Sequence, residues 1–558
     1  MPCHGTCSLE PFGPSPIGLQ ILNKRNRLQG VIQKLVRLFS SYPNEPGVVP
    51  RSFDCLKVKP GSDMVYGVLA FQSVPDRFYF LLLGAIRSKL ARHFIGPTEL
   101  VVVRAINGAV GTGLLAELKR SAPISWLIGR QWERAYGKLV DSIAYRCATW
   151  RFPFADYLDW MKSKSLWLEM QKQGEPRSMQ IDGVEVVDLV IDSYLRFKPA
   201  PEFDPYDHFV RRLIWQALRN VRQANSYFSR VRPRWYLTSY STYLEHGIPV
   251  RSALRHGVAV WSFVSITHFA KKLTQADPFH TPDYSRYSVE FDALDGQAQR
   301  LEVARSQLEH RLSGGIDMAT SYMRQSAYAQ KRVPLPDGLN GAVVIFLHDF
   351  YDSPHIYPDM IFDDFWRWIC FTIDVLQRSG INFFLKPHPN QVALSEDALQ
   401  LLRQKYPSLQ WLSTSDSNVQ LAQVGIACGV TVYGTVAHEL AYLGVPSIGC
   451  ARHPHHTFDF CRTAKTRDEY EGMLQTYAVS PLPKEEMQRQ ALAFYYMHNL
   501  FMTGEQQELR HAFLSLWTAC HQKEVTEEQV MSQLQAMAVL PEFDRFVEVL
   551  VRSDAGLG

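Results

Sequence analysis

The feature that most constrains the fold is a recurring unit in which a short apolar run ends in small or polar residues and passes directly into a helix. It is clearest at Gly425 to Ser447, GIACGVTVYGTVAHELAYLGVPS, and at Phe383 to Asn390, FFLKPHPN. In the first stretch Gly434 and Thr435 stand where a strand hands over to a helix, with Thr435 as N-cap, His438 and Glu439 in the opening turn and Gly444 as the stop. Thr435, His438 and Glu439 then share one face, because positions three and four apart on a helix are neighbours. A helix start with free N–H groups and a positive dipole end suits an anion. The second stretch puts Lys386 and His388 at the carboxyl end of a buried strand, where open α/β sheets bind ligands. Together the two runs imply a pocket for a phosphate carrying a sugar. Taken singly they have plainer readings: Glu439 complementing the dipole, His438 a satisfied core histidine, Lys386 a strand-end charge.

The same unit recurs on both sides. Glu99 to Ala105 reads as a strand that runs into the glycine-rich turn Asn107, Gly108, Gly111, Gly113 and then a helix. That GxxGxG spacing is not the dinucleotide fingerprint, but it lets a turn pass close to a ligand or to another domain. Arg234 to Ser239 and Ala259 to Val264 read as strands around a polar turn, Thr242 to His246, and a helix, Pro249 to His256. The Ser, Thr, Tyr and His side chains of that segment are expected at an interdomain cleft. Ala342 to Leu347 is a further buried strand, and it delivers His348, Asp349, Asp352 and His355 into a loop. Strands alternating with helices in this way imply parallel, doubly wound sheets.

The remainder is mainly helical. Phe78 to Phe94, Leu294 to Leu312 and Ile361 to Arg378 carry helical apolar spacing, Ile124 to Arg230 reads as a long aromatic helical region, and the chain is helical from Lys484 onwards. Residues 18–40 place Ile21, Leu28, Ile32, Leu35 and Phe39 on one stripe with five Lys or Arg around them. Such a helix either lies on an anionic membrane or, more commonly, packs on its own domain. At 558 residues the chain needs more than one core, which divides it into 1–60, an N-terminal extension; 61–335, a first sheet domain with a helical insertion; 336–483, a second sheet domain; and 484–558, a helical tail.

A formal charge of +4 over that length gives no electrostatic footprint for nucleic acid. Nine cysteines, an odd number without a CxxC pair, together with an N-terminus lacking a charged and then apolar leader, lead us to expect a cytoplasmic protein with reduced thiols. No P-loop, GxGxxG, GxSxG, HExxH or kinase signature is present, which removes the common NTPase, dehydrogenase and hydrolase readings. His348, Asp349 and Asp352 are the candidates for general acid and base work, since an acceptor hydroxyl needs a base when it attacks an anomeric carbon. The alternatives are a metal site built with His355, or a plain turn made by Asp352 and Ser353 before Pro354. His453, His455 and His456 read as part of a polar loop, and no metal or cofactor is expected.

In order, HDFYDSPH, FDDFWRWICFTIDVL, NFFLKPHPN, GVTVYGTVAHELAYLGVPSIG and TRDEY resemble the C-terminal half of bacterial capsule and surface-polysaccharide glycosyltransferases. The resemblance implies a GT-B architecture, two Rossmann-like domains facing a cleft, with a nucleotide-sugar donor held by the second domain and no obligatory metal. By position it implies that Lys386 and His388 bind the donor phosphate, that Thr431 and Thr435 support it, and that His438 and Glu439 reach ribose or sugar. The acceptor is then a glycan or glycolipid. A polyol phosphotransferase using a CDP-activated donor, or a non-catalytic scaffold on the same fold, would share these motifs.

Overall fold

Apolar, β-branched runs such as VVIF at 343–346 have no amphipathic register, so they are stable only as strands covered on both faces. The chain supplies that cover twice. The computed structural model describes residues 53, 56, 64–74, 76–102, 132–144, 154–173, 178–198, 200–263, 270–282, 284–317, 334–388, 393–521 and 525–555. The expected amphipathic segment 18–40 and the turn with Asn107, Gly108, Gly111 and Gly113 lie outside them.

In the first half, β1 (Val65–Tyr66), β2 (Leu69–Gln72), α1 (Arg77–Leu90), β3 (Phe94–Ile95), β4 (Thr98–Val101) and β5 (Ser142–Ile143) are followed by α2 (Phe154–Gln173). A small hairpin, β6 (Gln180–Ile181) and β7 (Val184–Glu185), leads to α3 (Val187–Phe197) and α4 (His208–Val231), then β8 (Trp235–Thr238), α5 (Ile248–Arg255), β9 (Ala259–Phe263) and β10 (Ala270–Leu273). The sheet order is β10-β9-β8-β2-β4-β5, parallel throughout except for β10 against β9. Three strands of this sheet thus stand where the sequence pattern shows none: β2, β10, and β5 inside the region read as helical, which also holds the β6–β7 hairpin. Helix α1 also stops short of the expected Phe94, because residues 94–95 pair instead with β1.

Helices α6 (Tyr287–Asp292) and α7 (Gln297–Leu312) precede the second sheet. There β11 (Val343–Phe346), α8 (Phe365–Arg378), β12 (Phe383–Lys386), α9 (Ala393–Lys405), β13 (Gln410–Trp411), α10 (Asn418–Val424), β14 (Cys428–Val430), α11 (Val436–Leu443), β15 (Ser447–Gly449), β16 (Cys461–Thr463) and α12 (Arg467–Gln475) alternate. All neighbours in the order β13-β12-β11-β14-β15-β16 are parallel. This is the doubly wound order 3-2-1-4-5-6, and its switch point lies between β11 and β14. Local signals fix the helix ends: Ser417 and Gln420 form a capping box before α10, and Gly444 closes α11 at φ 83°, a backbone that a β-carbon resists. The chain is α/β, with two parallel-rich sheets and many helices.

The C-terminal helices serve both halves. Met487, Leu492 and Phe494 of α13 (Lys484–Tyr495) join Ala437 and Ala441 of α11 and Leu308 of α7 in one core. Beyond it, α14 (Gly504–His521), α15 (Glu527–Ala538) and α16 (Pro541–Ala555) return to the first sheet, burying Leu516, Leu534 and Leu550 in its core. Phe78 of α1 meets Trp517 edge to face at 5.3 Å. Each such side chain contributes about 1.5–3 kcal/mol when removed from water. The last three helices are therefore part of the first core, and their removal would expose α1. No helix among the described residues is long and apolar enough to cross a membrane.

Candidate active site at the carboxyl ends of the second sheet

Register places the chemistry. Phe346 pairs with Lys386 and Ile345 with Val430, so the residues that follow β11, β12 and β14 leave the sheet side by side. His348 and Thr431 flank the switch point: His348 Nε2 lies 3.2 Å from Thr431 Oγ1, which also accepts the Gly434 N–H at 3.1 Å. The His348 ring stacks on Phe365 with centroids 5.1 Å apart and meets Tyr433 at 4.8 Å. Burial, reinforced by the neighbouring His388, pushes its pKa down to about 3, so it stays neutral. A neutral imidazole locked on both faces holds the Thr431 hydroxyl in place.

The start of α11 differs from its expected form. Thr435 is at the N-cap position but already has helical dihedrals, φ −63° and ψ −12°, and its hydroxyl caps nothing. Thr431, from the strand, takes the Gly434 amide instead. The Ala437 and His438 N–H groups turn back onto the Gly434 and Thr435 carbonyls at 3.2 and 3.1 Å, so what this uncapped start offers a ligand, beside an exposed Thr435, is mainly the positive end of its dipole.

His438 and Glu439 are buried, and they part company. The His438 ring packs against Phe494 and Tyr495, and neither of its ring nitrogens has a hydrogen-bond partner. Glu439 pairs with Arg311 of α7 at 2.8 Å and accepts from Asn418 Nδ2 at 2.7 Å. Lys386, 8% exposed, has its pKa lowered by burial against the opposing pull of Glu439 and Asp416. The charges at the base of the site are thus held by one another.

The loop after β11 separates its candidates. Asp349 Oδ1 accepts from Ser395 Oγ at 2.5 Å and from the Tyr351 N–H at 3.1 Å, the geometry of a structural turn. His355 pairs with Asp192 of α3 at 2.7 Å. Burial opposes its imidazolium, but the Asp192 carboxylate outweighs that and raises its pKa. Among the described residues, His348, Asp349, Asp352 and His355 do not gather as a metal set. Asp352 stays exposed, with Oδ1 on the Ser353 N–H. Crowding by surrounding protein raises its pKa, Asp349 adds to this, and Arg196 and His388 oppose it.

That places Asp352 opposite the first half of the chain. Arg196, exposed in the last turn of α3, is one group that sequence reasoning missed. The other is the turn after β8. It is a π-helical turn, Tyr243–Gly247, entered by Tyr243 at φ 60°, where a bulky side chain is strained. Within it Glu245 is buried with Oε2 unpartnered, and burial lifts its pKa to about 7. The polar Ser/Thr/Tyr/His composition of this segment was the available signal; the strain and the buried acid were not visible in it. Gln72 of β2 holds the strand end by accepting the Ser239 N–H at 2.9 Å.

No protein-family model matches the sequence, and no curated protein does. Among solved structures, the Thermosulfurimonas dismutans KpsC beta-Kdo 2,4 transferase is 13% identical, with TM-score 0.27, over 47% of this chain and 78% of that one. UDP-GlcNAc 2-epimerase from Neisseria meningitidis is 7% identical, with TM-score 0.21, over 76% of this chain and 97% of that one. The wall teichoic acid polymerase TagF, in a variant form, is 10% identical, with TM-score 0.22, over 92% and 99%. Likenesses this distant carry no weight in the argument below.

Proposed function

We propose that this chain is a GT-B glycosyltransferase that moves a sugar from a nucleotide-sugar donor to a growing bacterial capsule or lipopolysaccharide glycan, at the cytoplasmic face of the membrane. The observation that carries the reading is the meeting of His348, Thr431 and the uncapped start of α11 at the switch point of a 3-2-1-4-5-6 sheet, with His388 beside them. Such crevices take nucleotides, and helix starts take their phosphates. The order of motifs along the second half supports the same family.

In this reading His388, Thr431, Thr435 and the positive end of α11 receive the donor phosphates and stabilise the charge that develops as the nucleotide leaves. Lys386, His438 and Glu439 shape the pocket from below. Asp352 takes the acceptor proton, since it is the exposed carboxylate of its loop and its raised pKa suits a base. His348 and Asp349 hold the site's shape. Arg196 draws an anionic acceptor or donor group to the carboxylate.

The test is thermal stability against UDP, GDP, CMP, CDP and dTDP. A nucleotide at about a hundred times its dissociation constant adds roughly 2.7 kcal/mol. Stabilisation by one of them, lost in His388→Ala, is the expected result. No response to any nucleotide would leave a non-catalytic scaffold as the better account, and turnover of CDP-glycerol would move the reaction to phosphorus.

A further inference from the structure

The run Arg452 to Phe460, which reads as a polar loop in sequence, is not polar in its setting. His453 and His455 are 1% and 0% exposed, and their rings stack with centroids 3.5 Å apart. Cys461, the first residue of β16, is buried beside them. One ring nitrogen of each histidine and the Cys461 Sγ all lie within 4.8 Å of one another.

The hydrogen bonding of this cluster is incomplete. His453 Nε2 is 2.6 Å from Thr463 Oγ1, but His453 Nδ1 and both nitrogens of His455 have no partner. Buried polar atoms without partners are rare and require a physical account. Phe460 and Phe494 pack on the His455 ring at 4.9 and 5.5 Å. Neutral imidazole lone pairs crowded beside a thiol are what a borderline-soft cation satisfies.

We propose that His453, His455 and Cys461 bind one Zn²⁺ ion, which ties the 452–460 loop to the β15–β16 edge of the second sheet. Two imidazoles and a thiolate select zinc over magnesium or calcium, which prefer oxygen ligands. Cys461 gives up its thiol proton to solvent as the S–Zn bond forms. His453 binds through Nδ1, while its Nε2–H donates to Thr463 Oγ1 and fixes the tautomer, the usual support for a metal-bound histidine. A water completes the tetrahedron. The site is structural, and Phe494 packs between it and His438.

The test uses the full chain, purified without a histidine tag from zinc-supplemented medium, with metal content measured by mass spectrometry. We expect one zinc per chain, a melting temperature lowered by dipicolinate, and recovery on adding Zn²⁺ but not Mg²⁺. Cys461→Ser and His455→Gln should lose the metal, whereas His511→Gln, on the exposed face of α14, should keep it. Wild-type protein with less than a tenth of an equivalent of zinc and no response to chelation or Zn²⁺ overturns the proposal, as does full zinc content in Cys461→Ser. The wild-type arms stand even if a variant fails to fold.

Discussion

The Nε2 of His348 and the Oγ1 of Thr431, 83 residues apart in sequence, sit 3.2 Å from each other across the switch point of the second sheet. The same hydroxyl receives the Gly434 N–H, so one oxygen fixes both an imidazole and the entry to α11. Thr431→Val keeps the shape and removes the oxygen. It should cost about 1–3 kcal/mol of stability, because two half-buried groups lose a partner, and it should weaken nucleotide binding; Thr431→Ser should retain both. Denaturant titration and nucleotide thermal shifts measure this, and equal behaviour of the Val and Ser variants would refute the linking role.

Asp352 carries the proposed proton transfer, and its raised pKa sets a sign. A base works only when deprotonated, so activity should fall as pH drops through a value above the ordinary aspartate range. Asp352→Asn should lower kcat about 10²–10⁴-fold with the fold intact. Arg196→Ala removes a cation that favours the carboxylate, and should shift the acid limb upward. An acid limb that stays put in Arg196→Ala would separate the two groups.

The sequence made the second sheet legible because each strand is a compact apolar run and each helix carries its own stop, as Gly444 does for α11. The placement of His348 and His388 at strand carboxyl ends was legible for the same reason, since a strand's end is a local property, whereas Thr431 came from the resemblance alone. What joins distant segments was not. β16 is a three-residue strand whose only pattern comes from its pairing with β15. Glu439 is spoken for by Arg311, on a helix before the second sheet. Arg196 reaches the site only because α3 packs against the loop after β11, through Asp192 and His355.

The Glu439 to Arg311 pair makes a different prediction from the one its sequence position implies. As a donor-site residue, Glu439 would be removable with loss of binding alone. With both carboxylate oxygens engaged at 3% exposure, Glu439→Ala takes a hydrogen-bonding partner from both Arg311 and Asn418, and should cost about 1–3 kcal/mol. His388→Ala, half-buried at the strand end, should instead leave the melting temperature near the wild type while lowering nucleotide affinity. A Glu439→Ala protein of unchanged stability would return that residue to the binding role.

Glu245 tests how far the first half tolerates an unfavourable group near the site. Its pKa stands at about 7 against an ordinary 4.5 because burial penalises the charge, and Oε2 finds no donor. At acidic pH the carboxyl is protonated in both folded and unfolded chains and costs nothing through ionisation. As pH rises above the ordinary value the unfolded chain ionises first, so stability falls until the folded carboxyl also titrates near pH 7, a loss on the order of 3 kcal/mol at pH 8. Glu245→Gln removes the titration while keeping the size. It should therefore be more stable than the wild type at pH 8 and nearly equal to it at pH 5, as read from urea midpoints. If the turn at Tyr243–Gly247 is kept for the reaction, the stabilised variant should also lose turnover. A stability difference of the same size at both pH values would mean that Glu245 is already ionised in the folded chain, and that some unrecognised partner holds it.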